Sequence, residues 1–419
     1  MTTTRAPGRT GRAGATRPSP ARRTAPAVPR QAAFWLLALI LGVTMLGTTL
    51  PTPLYVIYQG RWHFSAAMVT VTFAAYAAAV LTTLLLAGRS SDQAGRRPVM
   101  AVALAASALS TVLFILAPGI GVLIAARVVS GLSAGLITGT ATAALTELIP
   151  ASAARRASLV ATAANMGGLG LGALVAGLLA QYAPHPTTLV FEVYLAVLAA
   201  AAVLLLFVPE TVRPRTRPAL RFAGLGIPGR GRGEFIAAAV AAFAAFALLG
   251  LFSSLVPGFI GGVLHQGSHA VQGGIVFGLF AVGTVTQVML SRFSSRRVVL
   301  AGLALLLAAL GLIVTALAQS GMVLFLVGTA AGGVAVGAIF LGSLATASRL
   351  APAGRRGQVI SAFFVACYAG LIIPVIGVGV LAGFTGTFPA VLAFSILLAA
   401  LCLFSIARIG KIASQGESA

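Results

Sequence analysis

Acidic residues are scarce in this chain of 419 residues, which has 6 Asp and Glu against 28 Lys and Arg. Charged side chains make up only 8% of it, whereas a soluble domain carries about 25%. A soluble fold of this length could not cover its surface with so few polar groups. Apolar residues make up 59% and glycine contributes 49 residues, a composition that membrane helices tolerate. The composition therefore predicts an integral membrane protein.

Cysteine and histidine are also rare. The two cysteines, Cys367 and Cys402, lie inside apolar runs, so they provide neither a disulfide framework nor a metal-ligand spacing. The four histidines fall in predicted loops, and the sequence contains no phosphate-binding loop and no pattern of a nucleophilic triad. We therefore predict that the protein is not an enzyme and holds no cofactor and no metal.

Apolar runs separated by short polar breaks predict twelve transmembrane helices, each about 20 residues or longer. A membrane β-barrel would instead need alternating segments of about ten residues, and none is present. Pro51 and Pro53 predict a kink in the first helix. The predicted spans are 33–57, 66–87, 98–117, 119–148, 158–182, 187–208, 235–261, 271–290, 298–319, 321–348, 358–382 and 387–407.

The chain divides into two similar parts at a stretch rich in Arg, Pro and Gly. The arginine doublets at 96–97 and 155–156 recur 200 residues later, at 296–297 and 355–356. This repeat indicates a duplication, and it predicts an all-α membrane protein made of two pseudo-symmetric six-helix bundles. The predicted parts are a disordered tail 1–31, a bundle 32–208, a linker 209–234, a second bundle 235–408 and a tail 409–419.

Positive charge collects on one side of the predicted membrane. Successive loops lie on alternate sides of the membrane, so the two tails, the linker and the loops after the second, fourth, eighth and tenth spans share one side. These segments contain 26 of the 28 Lys and Arg. Of the other two, Arg61 lies on the opposite side and Arg127 lies within a span. The positive-inside rule then places both termini and the linker in the cytoplasm, which we take to be that of a bacterial cell with this protein in its plasma membrane. Because the charge is spread over seven segments, we predict no nucleic-acid partner.

The loop between the second and third spans carries a recognisable motif. Gly88 and Gly95 permit close helix approach and a tight turn, and Asp92 lies four residues before Arg96, within pairing distance on a helix. With Arg97 added, these residues resemble the signature loop of the major facilitator superfamily: a glycine, an aspartate four residues on, then Gly-Arg-Arg. The resemblance implies the twelve-helix fold of that superfamily and a transport function.

The fourth span adds a second motif. Arg127, Gly131 and Gly135 are spaced to share one helix face, and the pattern resembles the fourth-helix motif of the same superfamily. A charge within a span is a functional candidate by default; the alternative is an arginine that reaches the outer interface. Glu147, at the other end of this span, lies where the family has an acid, so we expect it to join Asp92 and Arg96 in a gating cluster.

Glycines in the fifth span indicate a direction of transport. Gly168, Gly172 and Gly177 resemble part of the fifth-helix motif of drug/proton antiporters, although Ala173 stands at its proline. Small residues at this spacing also pack helices in any membrane protein. The sequence therefore leaves two interpretations, an antiporter motif or generic helix packing.

The predicted central cavity is mostly apolar. Glu192 is the candidate proton carrier, because a carboxyl group in a low-dielectric site can load and unload protons; the alternative is an acid at the membrane interface. The candidate polar residues of the cavity are Thr48, Tyr55, Asn165, Gln287 and Tyr368.

These observations predict a monomeric secondary transporter whose halves rock around a midplane site. Its predicted partners are a small-molecule substrate, protons and the lipid bilayer. The apolar cavity and the fifth-helix glycines favour proton-coupled export of amphiphilic compounds. The alternative is an uptake symporter or facilitator for a metabolite, and a third class is a membrane receptor or scaffold that transports nothing.

Overall fold

The computed structural model describes residues 2–3, 28–87, 90–212, 224–264, 266–352 and 355–417. Most of the predicted N-terminal tail, Gly88 of the signature loop and residues 213–223 of the predicted linker lie outside the described residues. Within the described part, twelve helical segments are long and apolar enough to cross a membrane. The predicted fold class, two pseudo-symmetric six-helix bundles, is confirmed.

The first bundle contains eight helices, of which α1 and α2 together form the first crossing and α4 is a short turn of helix. They are α1 (Arg30–Thr49), α2 (Pro51–Trp62), α3 (Ala66–Ala87), α4 (Ser90–Ala94), α5 (Arg96–Ile115), α6 (Ile120–Leu148), α7 (Ala154–Tyr182) and α8 (Pro186–Leu205).

The second bundle repeats this order, except that the described residues include no counterpart of α4. Its helices are α9 (Arg232–Ser254), α10 (Val256–Gly262), α11 (His269–Leu290), α12 (Ser295–Gln319), α13 (Met322–Leu350), α14 (Arg356–Thr385) and α15 (Thr387–Glu417). The start of α1, the end of α8, the start of α9 and the end of α15 lie at one face of the molecule, which we call the linker face. We call the opposite face the distal face.

Proline breaks the first crossing of each bundle. Pro51 and Pro53 have no N–H for the preceding turn, and the helix is interrupted at Leu50, as predicted. In the second bundle the predicted span 235–261 breaks as well, because Pro257 cannot donate to the Ser253 carbonyl. That carbonyl instead accepts a hydrogen bond from Thr52 Oγ1 of the first bundle at 3.1 Å.

Glycines set the closest helix contacts within the first bundle. A Cβ atom at Gly131 of α6 would overlap the Tyr76 carbonyl of α3, and one at Gly135 would lie 3.0 Å from the Val80 carbonyl. Backbone therefore packs directly on backbone, as small residues permit in membrane helices.

The second bundle contains the matching pair. A Cβ atom at Gly333 of α13 would lie 2.8 Å from the Leu279 carbonyl of α11, and one at Gly337 would overlap the Gly283 carbonyl. The two glycines again lie four residues apart, as do the two carbonyls that they face. The internal repeat is thus a repeat of packing geometry.

Candidate transport cavity and the charged groups around it

A cavity of about 270 Å³ lies between the two bundles. The first bundle contributes residues of α1, α3, α6 and α7, and the second contributes residues of α9, α11, α13 and α14. Its volume is just below the range for small-molecule sites, which is about 300–1,000 Å³. Each bundle therefore lines the cavity with four helices, and the four helices of one bundle are the counterparts of the four in the other.

The cavity opens toward the linker face. On α7, Ser158 near that face is exposed and Thr162 one turn deeper is partly buried, while both line the cavity. At the distal end of the lining, Thr48 and Ser253 are each 4% exposed. A molecule can therefore enter from the linker face, and the distal end is closed.

Two pseudo-equivalent contacts between the bundles close the distal end. A Cβ atom at Gly177 of α7 would lie 2.5 Å from the His269 carbonyl and 3.1 Å from the Gly273 Cα of α11. A Cβ atom at Gly379 of α14 would overlap the side chain of Thr70 on α3. We call these two contacts the distal seal. At Gly177 and at Gly379 there is no room for any side chain larger than the hydrogen atom of glycine.

The other two glycines of the predicted fifth-helix motif, Gly168 and Gly172, do not belong to the seal. A Cβ atom at Gly168 would overlap the Gly42 carbonyl, and one at Gly172 would overlap the Leu46 carbonyl, both on α1. These two residues pack helices within the first bundle. The three glycines of the predicted motif thus serve two different interfaces.

Arg127 is wholly buried, at 0% exposure, in the distal half of the first bundle. Its Nε donates to the Tyr55 hydroxyl at 2.7 Å and its Nη1 to the Thr48 carbonyl at 2.5 Å. The rings of Tyr55, Tyr76 and Phe114 lie 5.2 to 5.8 Å from its guanidinium carbon, a cation–π arrangement. The alternative of an arginine that reaches the outer membrane interface therefore does not describe Arg127.

Carbonyl dipoles stabilise this buried cation. Thr48 belongs to the last turn of α1, and the aligned peptide dipoles give this end of a helix a partial negative charge. Among the described residues no carboxylate lies within ion-pair distance of Arg127, and its Nη2 has no hydrogen-bond partner. The site therefore keeps a net positive charge behind the cavity wall.

Three of the five predicted polar residues line the cavity: Thr48, Asn165 and Tyr368. The other two do not. Tyr55 is engaged by Arg127, and Gln287 is 3% exposed with its Nε2 3.0 Å from the sulfur of Met166. The sequence locates polar groups near the cavity but does not show which way each one faces.

Glu192 does not reach the cavity. Its side chain is exposed on α8, next to the exposed Val193, and it is absent from the cavity lining. Because α8 packs mainly on α5 at the outside of the bundle, this carboxylate faces away from the centre.

The predicted charge cluster at the linker face is present. Arg96 Nη2 lies 2.7 Å from Asp92 Oδ1 and 2.7 Å from Glu147 Oε1, and its Nη1 donates to the Ser91 hydroxyl at 2.5 Å. The Arg96 side chain is 8% exposed. It therefore ties the signature loop to the end of α6, as the sequence predicts.

A third acid, Glu210, completes the charge cluster at the linker face. The Glu210 carboxylate accepts hydrogen bonds from the backbone N–H groups of Arg96 at 2.8 Å and Arg97 at 3.0 Å, which stabilises the positive N-terminal end of α5. Gly95 has a φ of +98°, and a Cβ atom there would lie 2.8 Å from the Glu210 carboxylate. The sequence assigned no role to Glu210, although Pro209-Glu210-Thr211 after the sixth span was a visible signal.

A central cavity between two repeated six-helix bundles, open on one face and sealed on the other, defines a membrane transporter. The family model of the Major Facilitator Superfamily matches residues 37–374 of this chain. The chain therefore belongs to the Major Facilitator Superfamily, as the signature loop and the fourth-helix motif predict.

Solved structures share this fold at low sequence identity. The human organic anion transporter MFSD10 (TETRAN) is 18% identical, with a TM-score of 0.66 over 90% of this chain and 99% of that one. A bacterial homolog of the human lysosomal transporter Spinster, in an inward-facing and unoccupied conformation, is 17% identical, with a TM-score of 0.67 over 91% of this chain and 94% of that one. No curated protein sequence matches the chain.

Proposed function

We propose that this protein exports amphiphilic small molecules from a bacterial cell by alternating access, in exchange for protons. The observation that carries the proposal is the central cavity, which is open at the linker face and closed by the distal seal. Rocking of the bundles would open the seal and close the linker face around the same site.

The arginines support an orientation with the linker face in the cytoplasm. The tails, the linker and the other loops of that face hold 26 of the 28 Lys and Arg, which is the charge bias of cytoplasmic loops in the plasma membrane. In this orientation the cavity opens to the cytoplasm. A substrate for export would therefore enter from the side on which it accumulates.

The cavity lining supports an amphiphilic substrate. It combines aromatic and aliphatic side chains with hydroxyl and amide groups, and none of the described lining residues is charged. Sugar carriers need many amides and carriers of phosphate need several cations, and neither set is found in this lining. One structural neighbour is an organic anion transporter, which supports a small organic substrate in the same general fold.

The positions of the acids favour a second candidate, a facilitator that moves its substrate without protons. Asp92, Glu147, Glu210 and Glu234 lie at the linker face, and Glu192 is exposed on α8. None of these five described acids lines the cavity. Proton exchange would then have to act through the cluster at the linker face, whereas a facilitator needs no such group.

Flux measurements in everted membrane vesicles separate the candidates. We would follow radiolabelled 2-naphthamide, 2-naphthoate and 2-naphthylmethylammonium, which share one ring system, with vesicles lacking the protein as the control for passive partition. Proton-coupled export predicts protein-dependent accumulation when the lumen is acidic, abolished by a protonophore. Protein-dependent flux whose rate does not change with the pH gradient supports the second candidate, the facilitator. If no compound shows protein-dependent flux, the proposal of amphiphile transport is wrong.

A further inference from the structure

The two bundles contribute chemically different walls to the cavity. We propose that these walls select uncharged amphiphiles, with a flat apolar body on the wall of the second bundle and an edge of hydrogen-bonding groups on the wall of the first. The inference deepens the proposed function, since it names the substrate class of the same cavity. It concerns binding, however, and can therefore be tested without transport.

The wall of the second bundle is aromatic. The Phe246 ring centroid lies 5.4 Å from that of Phe340 and 6.1 Å from that of Tyr368, and Phe280 and Phe364 line the same side. Clustered rings at such distances offer edges and faces to another ring, and aromatic pairs prefer these offset and edge-to-face arrangements. The wall therefore fits a flat, apolar body.

The wall of the first bundle holds most of the polar groups of the lining, next to Phe73 and Tyr76 of α3. Asn165 Nδ2 donates to Thr138 Oγ1 at 3.2 Å, which leaves the amide oxygen as an acceptor. Thr142, Ser158 and Thr162 also line the cavity, and their hydroxyl groups have no hydrogen-bond partner among the described residues. These groups can both donate and accept. The wall therefore fits an amide, hydroxyl or carbonyl edge.

Charge separates the candidate ligands further. In the part of the chain that the structure describes, no lining residue carries a charge, so an ionised ligand would lose its hydration without gaining an ion partner. Behind the lining, Arg127 donates to the Thr48 carbonyl and lies 5.7 Å from the Tyr76 ring, and both of these residues line the cavity. This fixed positive charge opposes a cation and partly offsets the cost of burying an anion. The expected order of affinity is neutral, then anionic, then cationic.

Equilibrium binding to the purified full-length protein tests this order. The probes are 2-naphthamide, 2-naphthoate and 2-naphthylmethylammonium at neutral pH, with 2-methylnaphthalene as a body without a polar edge. We expect the amide to bind at least about tenfold more tightly than the ammonium, a difference that one uncompensated buried charge readily exceeds. Equal affinities, or tighter binding of the ammonium, would overturn the inference.

Variants of the two walls separate the two parts of the claim. Asn165→Leu should reduce the preference for 2-naphthamide over 2-methylnaphthalene, whereas Phe340→Ala should weaken all four probes by a similar factor. Matched controls are Thr315→Val and Phe293→Ala, whose side chains are exposed away from the cavity. If Asn165→Leu keeps the full preference for 2-naphthamide over 2-methylnaphthalene, the polar wall does not bind the polar edge of the ligand and the inference is wrong.

The binding test and the vesicle test fail independently. Selective binding of the amide without protein-dependent flux contradicts the proposed function and leaves the two-wall assignment supported. Flux without selectivity supports transport and overturns the assignment. A thermal unfolding midpoint for each variant, compared with that of its control, shows whether a loss of binding reflects a loss of fold.

Discussion

In the first bundle α7 packs on α1 through Gly168, where a Cβ atom would overlap the Gly42 carbonyl; in the second, α14 packs on α9 through Gly370, where one would overlap the Phe243 carbonyl. The distal seal follows the same correspondence, with one glycine from each bundle. Close packing is thus a property that both bundles retain. It requires only a residue without a side chain at particular places.

The two charged residues of α6 do not follow this correspondence. Counting from the paired glycines of α6 and α13, the place of Arg127 is taken by Thr329, whose hydroxyl donates to the Phe325 carbonyl of its own helix at 2.8 Å. The place of Glu147 is taken by Arg349, which pairs with Glu234. The comparison teaches that the scaffold is repeated, while in the described part of the chain the buried charged side chains, Arg96 and Arg127, both belong to the first bundle.

The largest expected effect tests this asymmetry directly. Arg127→Met removes hydrogen bonds to Tyr55 and to the Thr48 carbonyl, and hydrogen bonds to charged groups contribute about 1.5–3 kcal/mol each. We expect the initial rate of substrate flux to fall by at least about tenfold. Thr329→Val, at the equivalent place, should change it by less than about twofold, since it removes one bond within a helix.

Proteoliposomes with equal amounts of each variant provide this measurement, and the thermal unfolding midpoint controls for folding. If Arg127→Met carries flux at the rate of the unaltered protein, the buried cation has no role in transport, and the contrast between the bundles loses its functional meaning.

The second prediction concerns the seal, in which the bundles should behave alike. Gly177→Leu and Gly379→Leu each insert a side chain where only a hydrogen atom fits, so we expect both to hold the distal face open. A cysteine at Ser253, on a background without the two native cysteines, should then react severalfold faster with an impermeant maleimide applied from that face. Gly274→Leu is the matched control, because nothing lies within 4 Å of a Cβ atom there.

If only one of the two substitutions increases labelling, the two contacts of the distal seal are not functionally equivalent. Unchanged labelling in both variants would mean that these glycines do not set the closed state.

The third prediction compares the two ion pairs at the linker face. The Arg96 side chain is 8% exposed and contacts two carboxylates, whereas the Arg349 side chain is 61% exposed and contacts one. Arg96→Met should cost about 2 kcal/mol of stability, as expected for a largely buried charged network. Arg349→Met should cost less than about 1 kcal/mol, as expected for an exposed pair.

Thermal unfolding of the purified proteins measures this difference as two shifts of the midpoint. Shifts of equal size would show that burial does not make the ion pairs of Arg96 more stabilising than the ion pair of Arg349.

The smallest effect is expected at Glu192. Its carboxylate is exposed and lies outside the cavity, so Glu192→Gln should leave both the flux and its dependence on an imposed pH gradient unchanged. The measurement is the vesicle assay with the lumen at acidic and at neutral pH. A loss of gradient dependence alone would restore this residue as the proton carrier that the sequence suggested.

The membrane-end features could be predicted well from the sequence. The spacing of Asp92 and Arg96 predicts that the two side chains pair, and the resemblance to the superfamily, which has an acid at the place of Glu147, predicts that Glu147 joins them. Helix existence followed from the length of the apolar runs, because lipid leaves the backbone no other partner. The break at Leu50 followed from proline chemistry alone.

The direction in which each side chain faces could not be predicted from the sequence. Lipid is as apolar as the packed interior, so a span such as α8 is apolar all round and its pattern does not mark an inner face. For that reason Glu192 was a reasonable cavity candidate before the fold was known, and Tyr55 and Gln287 could not be separated from Asn165. The division of the cavity into a polar and an aromatic wall also needed the arrangement of both bundles.

Backbone contacts at the distal seal have a consequence for how such a protein can change over generations. At Gly177 and Gly379 no bulkier residue fits in the closed form, whereas the polar and aromatic residues of the cavity lie apart from these contacts. Substitutions along the walls can therefore alter which molecule is accepted without altering the surface on which the bundles separate. New cargo preferences can arise on this scaffold while its moving parts stay the same.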